Sequence, residues 1–171
     1  LRTSDGLVVG ETLAMAETLA EQNPEAGLWP SDPAQRATAR WLCAEMVGGF
    51  GALRSDCAMQ FRHIWKGFIP SDAVKADLAR VETLWAHARA MSGSADGFLF
   101  GTYSLADVFY TPVAARIVGY DLPVSQAARA YCNLLLADPA VLKWQQLAQD
   151  VTYDPMPYDM DLPKRPWDLA N

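Results

Sequence analysis

Apolar positions along this chain recur mostly at spacings of three and four residues, the pattern of helices that turn one face to a core. Leu13, Ala16, Leu19 and Ala20 predict a first helix over residues 11–22, which Asn23-Pro24 ends. Residues 25–31 read as a linker whose Trp29-Pro30 docks on a neighbouring surface. Asp32-Pro33 opens a longer helix, with Asp as N-cap and Pro at the first helical position, where no needed donor is lost. Its stripe of Leu42, Met46, Phe50, Leu53 and Cys57 predicts a run to about residue 56. Gly48, Gly49 and Gly51 interrupt that run at a cost of about 1 kcal/mol each against Ala. A kink is expected there, or the close approach of a helix or ligand.

Ser71-Asp72 opens the next helix, which carries Val74, Leu78, Val81, Trp85 and Ala88 and ends at Ser92-Gly93-Ser94. Ser104-Leu105-Ala106-Asp107 is the clearest cap. The Ser104 side chain is expected to accept from the Asp107 N–H and the Asp107 carboxylate from the Ser104 N–H, with Tyr103 and Val108 as hydrophobic staple. Two further helices are expected over residues 125–136 and 139–151. The pattern changes at the start. Leu7-Val8-Val9 after Asp5-Gly6 predicts a hairpin with residues 1–3, Asp5 and Gly6 forming its centre at positive φ. Two strands alone are marginal in water, so a larger sheet with strands before Leu1 is expected. The last twenty residues hold four prolines and no period, and are expected to form an extended tail. The plan is mainly all-α: a hairpin and helix over 1–24, a helical domain over 33–151, and a tail over 152–171.

Composition narrows the function. With 51% apolar and 20% charged residues a packed core is within reach. A net charge of −6 and a pI near 4.8 argue against nucleic acid as a partner, because a broad phosphate-binding surface needs clustered Lys and Arg. The sequence offers no membrane span, since no run of about 18 apolar residues occurs, and no secretory leader. Cys43, Cys57 and Cys132 lie inside helical patterns without CxxC spacing. They read as buried thiols in a reducing, cytoplasmic compartment, and no metal site or disulfide framework is expected. His63 and His87 are isolated and read as core or solvated side chains.

Glu11-Thr12 stands where a strand ends and a helix begins, a place with unpaired N–H groups and the positive end of the helix dipole. Thr12 adds a hydroxyl donor and Glu11 an acceptor for an ammonium group. The pair suits the zwitterionic end of an amino acid; the alternative is that Thr12 only caps the helix. Glu45 is the one charge in the run 41–53, with Arg36 and Arg40 on the same helix as possible partners. A lone carboxylate there is costly unless it is paired or reaches water.

The stretch Val8-Val9-Gly10-Glu11-Thr12-Leu13-Ala14-Met15-Ala16 resembles the end of the thioredoxin-like domain of glutathione transferases. There a final strand runs into an acidic-or-Gln/Ser-or-Thr pair that opens the third helix. The proline-bearing linker, the Asp-Pro-x-x-Arg start and the box from Gly101 to Asp107 are similar to that family's helical domain, in its order and spacing across residues 1–151. Among its branches the bacterial and maleylacetoacetate-isomerase-like types look nearest. The resemblance implies a glutathione-transferase helical bundle preceded by the hairpin and helix of a thioredoxin-like α/β domain. It implies glutathione as co-substrate, with its γ-glutamyl end on Glu11 and Thr12, and conjugation or isomerisation of a hydrophobic electrophile. It further implies a homodimer, with Glu45, Arg36 and Arg40 at the interface, and an electrophile pocket that Phe50, Leu53 and Tyr110 line, with Met59 and Phe61. The plain alternatives are an exposed carboxylate at Glu45 and ordinary core for the aromatic stripe. The family's thiolate-stabilising Tyr, Ser or Cys and its cis-proline would precede Leu1, so no catalytic residue is assigned in this chain. Two other functions compete: a non-catalytic glutathione-transferase-like interaction module and an unrelated helical interaction domain.

Overall fold

The computed structural model describes residues 1–152 and 160–167. Seven α-helices occur among them: α1 (Thr12–Gln22), α2 (Pro33–Gly48), α3 (Gly51–Asp56), α4 (Asp72–Ser92), α5 (Leu105–Gly119), α6 (Gln126–Leu136) and α7 (Pro139–Gln149). Two short strands, β1 (His63–Trp65) and β2 (Lys164–Pro166), pair antiparallel with Ile64 opposite Arg165. The chain divides into two compact units, Leu1–Gly49 with His87–Phe109, and Phe50–Ala86 with Tyr110–Asn171.

The first unit begins with the expected hairpin, closed by an Arg2–Val8 bridge and by Val9 N–H to the Leu1 carbonyl at 2.9 Å. Its turn differs from the expectation. The Gly6 N–H bonds to the Thr3 carbonyl, so Ser4 and Asp5 are the central pair and only Gly6 takes positive φ, +91°. Glycine follows the turn here, where a left-handed residue lets the strands resume pairing. α1 packs against α2. Arg40 of α2 reaches Glu17 of α1 through Nε and Nη2, at 2.6 and 2.8 Å, and lies over the buried Trp29 ring. Arg36 donates to the carbonyls of Pro30 and Ser31. Asp32 caps α2 by accepting the Gln35 N–H at 2.8 Å, as its position predicts.

The helix expected over residues 33–56 is two helices. α2 stops at Gly48, and the extended Gly49 bonds its N–H to the Glu45 carbonyl at 2.7 Å. A Cβ on Gly49 would stand 2.6 Å from that oxygen, so the glycine is required by close backbone approach. Phe50 then turns left-handed, with φ 56° and ψ 45°, and α3 starts.

Ser104 and Asp107, the capping pair at the start of α5, are buried. The Asp107 carboxylate accepts the Ser104 N–H at 2.9 Å, the Ser104 hydroxyl at 3.1 Å and the Leu99 N–H at 3.2 Å. The Asp107 N–H goes to the Ser104 backbone carbonyl, not to its side chain. The hydroxyl, relieved of accepting, donates instead. Tyr103 sets its ring edge-on against Phe98.

In the second unit, Trp85 packs edge-on to Tyr110 and Tyr131, within a core that includes Leu53, Val74, Leu78, Ile117, Tyr120 and Leu135. Asp77 accepts the Leu53 N–H at 2.9 Å and so holds α3 to α4. Ser71, Ser125 and Asp138 cap α4, α6 and α7. The β1–β2 ribbon pairs the connection between two expected helices with the expected tail, and no strand was expected in either. Trp167, just after β2, is buried against Gly119, where an added Cβ would meet its ring at 3.1 Å. The remainder of the expected tail, residues 153–159 and 168–171, lies outside the described residues.

Cys43, Cys57 and Cys132 are free and fully buried. Burial, then the nearby Asp107, pushes the Cys43 thiol well above its ordinary range. Burial raises Cys57 and Cys132 to about 12 each. Neutral thiols are poor nucleophiles. Native protein at pH 8 is therefore expected to resist iodoacetamide, with three alkylations appearing by mass only after denaturation; rapid native labelling would contradict this packing. Asp107→Ala is expected to cost about 3 kcal/mol in chemical denaturation, because three buried donors lose their acceptor. Asp107→Asn, which keeps one acceptor oxygen, is expected to recover about half of that loss.

Candidate functional site

Backbone strain singles out one position. Glu11 has φ 66° and ψ 137°, a combination sparsely populated by any residue with a Cβ. Phe50, also at positive φ, sits in the ordinary left-handed region. Glu11 and Thr12 are both exposed, at the point where the hairpin runs into α1.

The twist at Glu11 folds its own carboxylate back over the helix end. Oε2 accepts the N–H groups of Leu13 at 2.9 Å and Ala14 at 3.2 Å. Those two bonds, with smaller contributions from the Thr12 N–H and hydroxyl, hold the Glu11 carboxyl below its ordinary range. Glu11 therefore caps α1, and Thr12 occupies the first helical position. Oε1 takes part in neither backbone bond. The junction presents a carboxylate oxygen and the Thr12 hydroxyl side by side, at the positive end of a helix.

The three residues assigned to an interface sit along α2. Arg36 and Arg40 engage the linker carbonyls and Glu17, and Glu45 accepts from the Trp41 indole N–H at 3.0 Å. Trp41 and Val47 are partly exposed on the same helix. The residues assigned to an electrophile pocket are interior: Phe50, Leu53, Phe61 and Tyr110 are buried, and Met59 is half-buried. The Tyr110 ring meets Trp85. His63 packs on Trp65 and His87 on Trp41. No cluster of three His, Cys, Asp or Glu suited to a metal occurs among the described residues. No helix among them is long and apolar enough to cross a membrane.

No protein-family model and no curated protein matches this sequence. Solved structures do. A glutathione transferase homologue from Burkholderia gl BGR1, determined with bound glutathione, aligns with a TM-score of 0.61 at 24% identity, over 86% of this chain and 71% of its own. A glutathione transferase from Methylococcus capsulatus str. Bath aligns with a TM-score of 0.59 at 21% identity, over 88% of this chain and 72% of its own. With its mostly helical body and the short hairpin-and-helix portion before it, the chain has the glutathione-transferase fold.

Proposed function

We propose that the intact protein is a cytoplasmic, homodimeric glutathione transferase, and that Glu11 and Thr12 hold the γ-glutamyl end of glutathione. The observation that carries this reading is the strained, exposed Glu11 at the start of α1. Strain of this kind persists where a position is fixed for a ligand. The ligand's carboxylate would take the Thr12 N–H and hydroxyl, favoured by the helix dipole, and its ammonium would take Glu11 Oε1. The bound glutathione named for the Burkholderia homologue supports the same ligand here.

Chemistry on an electrophile requires a stabilised thiolate. The thiols of Cys57 and Cys132 lie at about 12, Cys43 is raised further, and the buried Tyr120 hydroxyl is pushed up to about 12, mainly by burial. None of these groups suits that role, so the residues named here bind and orient glutathione. The buried thiols fit a reducing compartment. For the dimer, α2 offers exposed Trp41 and Val47 beside Glu45, with Arg36 and Arg40 a turn or more away. Phe50, Leu53 and Tyr110 would bound an electrophile pocket only from its interior side.

In full-length protein, Thr12→Ala is expected to weaken glutathione binding about tenfold by calorimetry, the loss of one charge-assisted hydrogen bond with little change in fold. Unchanged affinity would remove the assignment. Binding without turnover of any electrophile would point to the non-catalytic interaction module. Trp41→Glu is expected to shift sedimentation from dimer to monomer at micromolar concentration; a wild-type protein already monomeric there would contradict the interface.

A further inference from the structure

Among the described residues, Met91 near the end of α4 is the exposed methionine, at 37%. Met46 is buried, and Met15, Met59 and Met160 are half-buried. The Met91 sulfur accepts the hydroxyl proton of Thr38, from α2, at 3.0 Å. Both residues belong to the first unit. The acceptor is an unusual one for this donor. Thr18 and Thr83, also within helices, give their hydroxyl protons to the carbonyl four residues back, each at 2.8 Å. That is the ordinary bond of a helical threonine. Thr38 is buried, and its hydroxyl goes instead to a thioether, a weak acceptor.

Oxidants ordinarily find cysteine thiolates first. Cys43, Cys57 and Cys132 are buried and held as neutral thiols, so they offer none. A thioether reacts without losing a proton and needs only access to its sulfur. Of the two lone pairs on the Met91 sulfur, one takes the Thr38 hydroxyl and the other is left for an incoming reagent.

We propose that Met91 is a site of oxidation by hydroperoxides, and that Thr38 holds the sulfoxide that forms. The sulfur attacks the terminal oxygen of the hydroperoxide. An S–O bond forms as the O–O bond breaks, and sulfur gives up two electrons. The departing alkoxide takes the proton of the attacked hydroxyl and leaves as an alcohol, or as water from hydrogen peroxide. The Thr38 hydroxyl then turns from sulfur to the new oxygen, a much stronger acceptor. Sulfoxide formation ordinarily disrupts packing, because an apolar side chain becomes polar. Here the oxygen meets a donor already in place, and the contact between α2 and α4 is kept. Attack on the lone pair away from Thr38 makes one sulfoxide epimer the main product. Neither Glu11 nor Thr12 takes part, so the inference stands apart from the glutathione reading.

The test exposes full-length protein to limiting hydrogen peroxide, then maps the digested chain by mass. Met91 is expected to gain oxygen about tenfold faster than Met46, at a rate unchanged between about pH 6 and pH 8. Of the two epimer-specific methionine sulfoxide reductases, one is expected to clear most of the Met91 sulfoxide from the digest and the other little. Thr38→Val is expected to remove most of that bias, and Thr38→Ser, which keeps the donor, to restore it. At one oxygen per chain, wild-type protein is expected to keep its Tm, whereas Thr38→Val loses about 3 °C on oxidation. Met91→Leu, which conserves volume, keeps the test decisive if Thr38→Val fails to fold; it is expected to abolish the fast first oxidation. Oxidation of Met91 no faster than Met46, a first oxygen on cysteine, equal epimers in the wild type, or an undiminished bias in Thr38→Val would each overturn the proposal.

Discussion

Asp107 places a carboxylate where no water reaches it, and the start of α5 is organised around satisfying that group. A buried carboxylate is tolerable only when donors surround it. Here they come from the segment that leads into the helix: Leu99 from the preceding loop, and the N–H and hydroxyl of Ser104 at the helix start. One side chain thus fixes the loop and the first turn together. The consequence spreads because α5 has no wet side to speak of. Ala106, Tyr110, Val113, Ala114 and Ile117 are all buried, and both compact units draw residues from this helix. A helix apolar nearly all round cannot set its own rotation by amphipathicity, so its end must be pinned by something directional.

Local signals in the sequence translate well into structure where the physics is itself local. Asp32, Ser71, Ser125 and Asp138 each accept an N–H from two or three residues downstream, so their caps depend on almost nothing else. The run of glycines after Val47 marks the break between α2 and α3 for a similarly short-range reason. Non-local pairings are another matter. Strands of three residues carry no readable alternation, and the partner of His63–Trp65 lies far along the chain. Arg40 finds Glu17 because α1 and α2 pack together, a contact that charge spacing within α2 did not suggest.

The site shows the same division. The position of Glu11-Thr12 at a strand-to-helix junction is legible from residue order. The way Glu11 closes on its own helix is not, since it follows from a backbone angle that only glycine would advertise. The outcome refines the chemistry expected there. A carboxylate already committed through one oxygen to two N–H groups is a fixed acceptor, not a mobile one, and fixed acceptors orient a charged guest at lower entropic cost.

The ribbon also sets an order of events during synthesis. β1 leaves the ribosome long before β2, and at about 5 to 20 residues per second the wait is on the order of 5 to 20 s. Throughout that interval the His63–Trp65 backbone is an open strand edge in a nascent chain, flanked by the large apolar rings of Phe61 and Phe68. Arg62 and Lys66 bracket it with positive charge, the kind of flanking that keeps two such edges on neighbouring polysomes from zipping to one another.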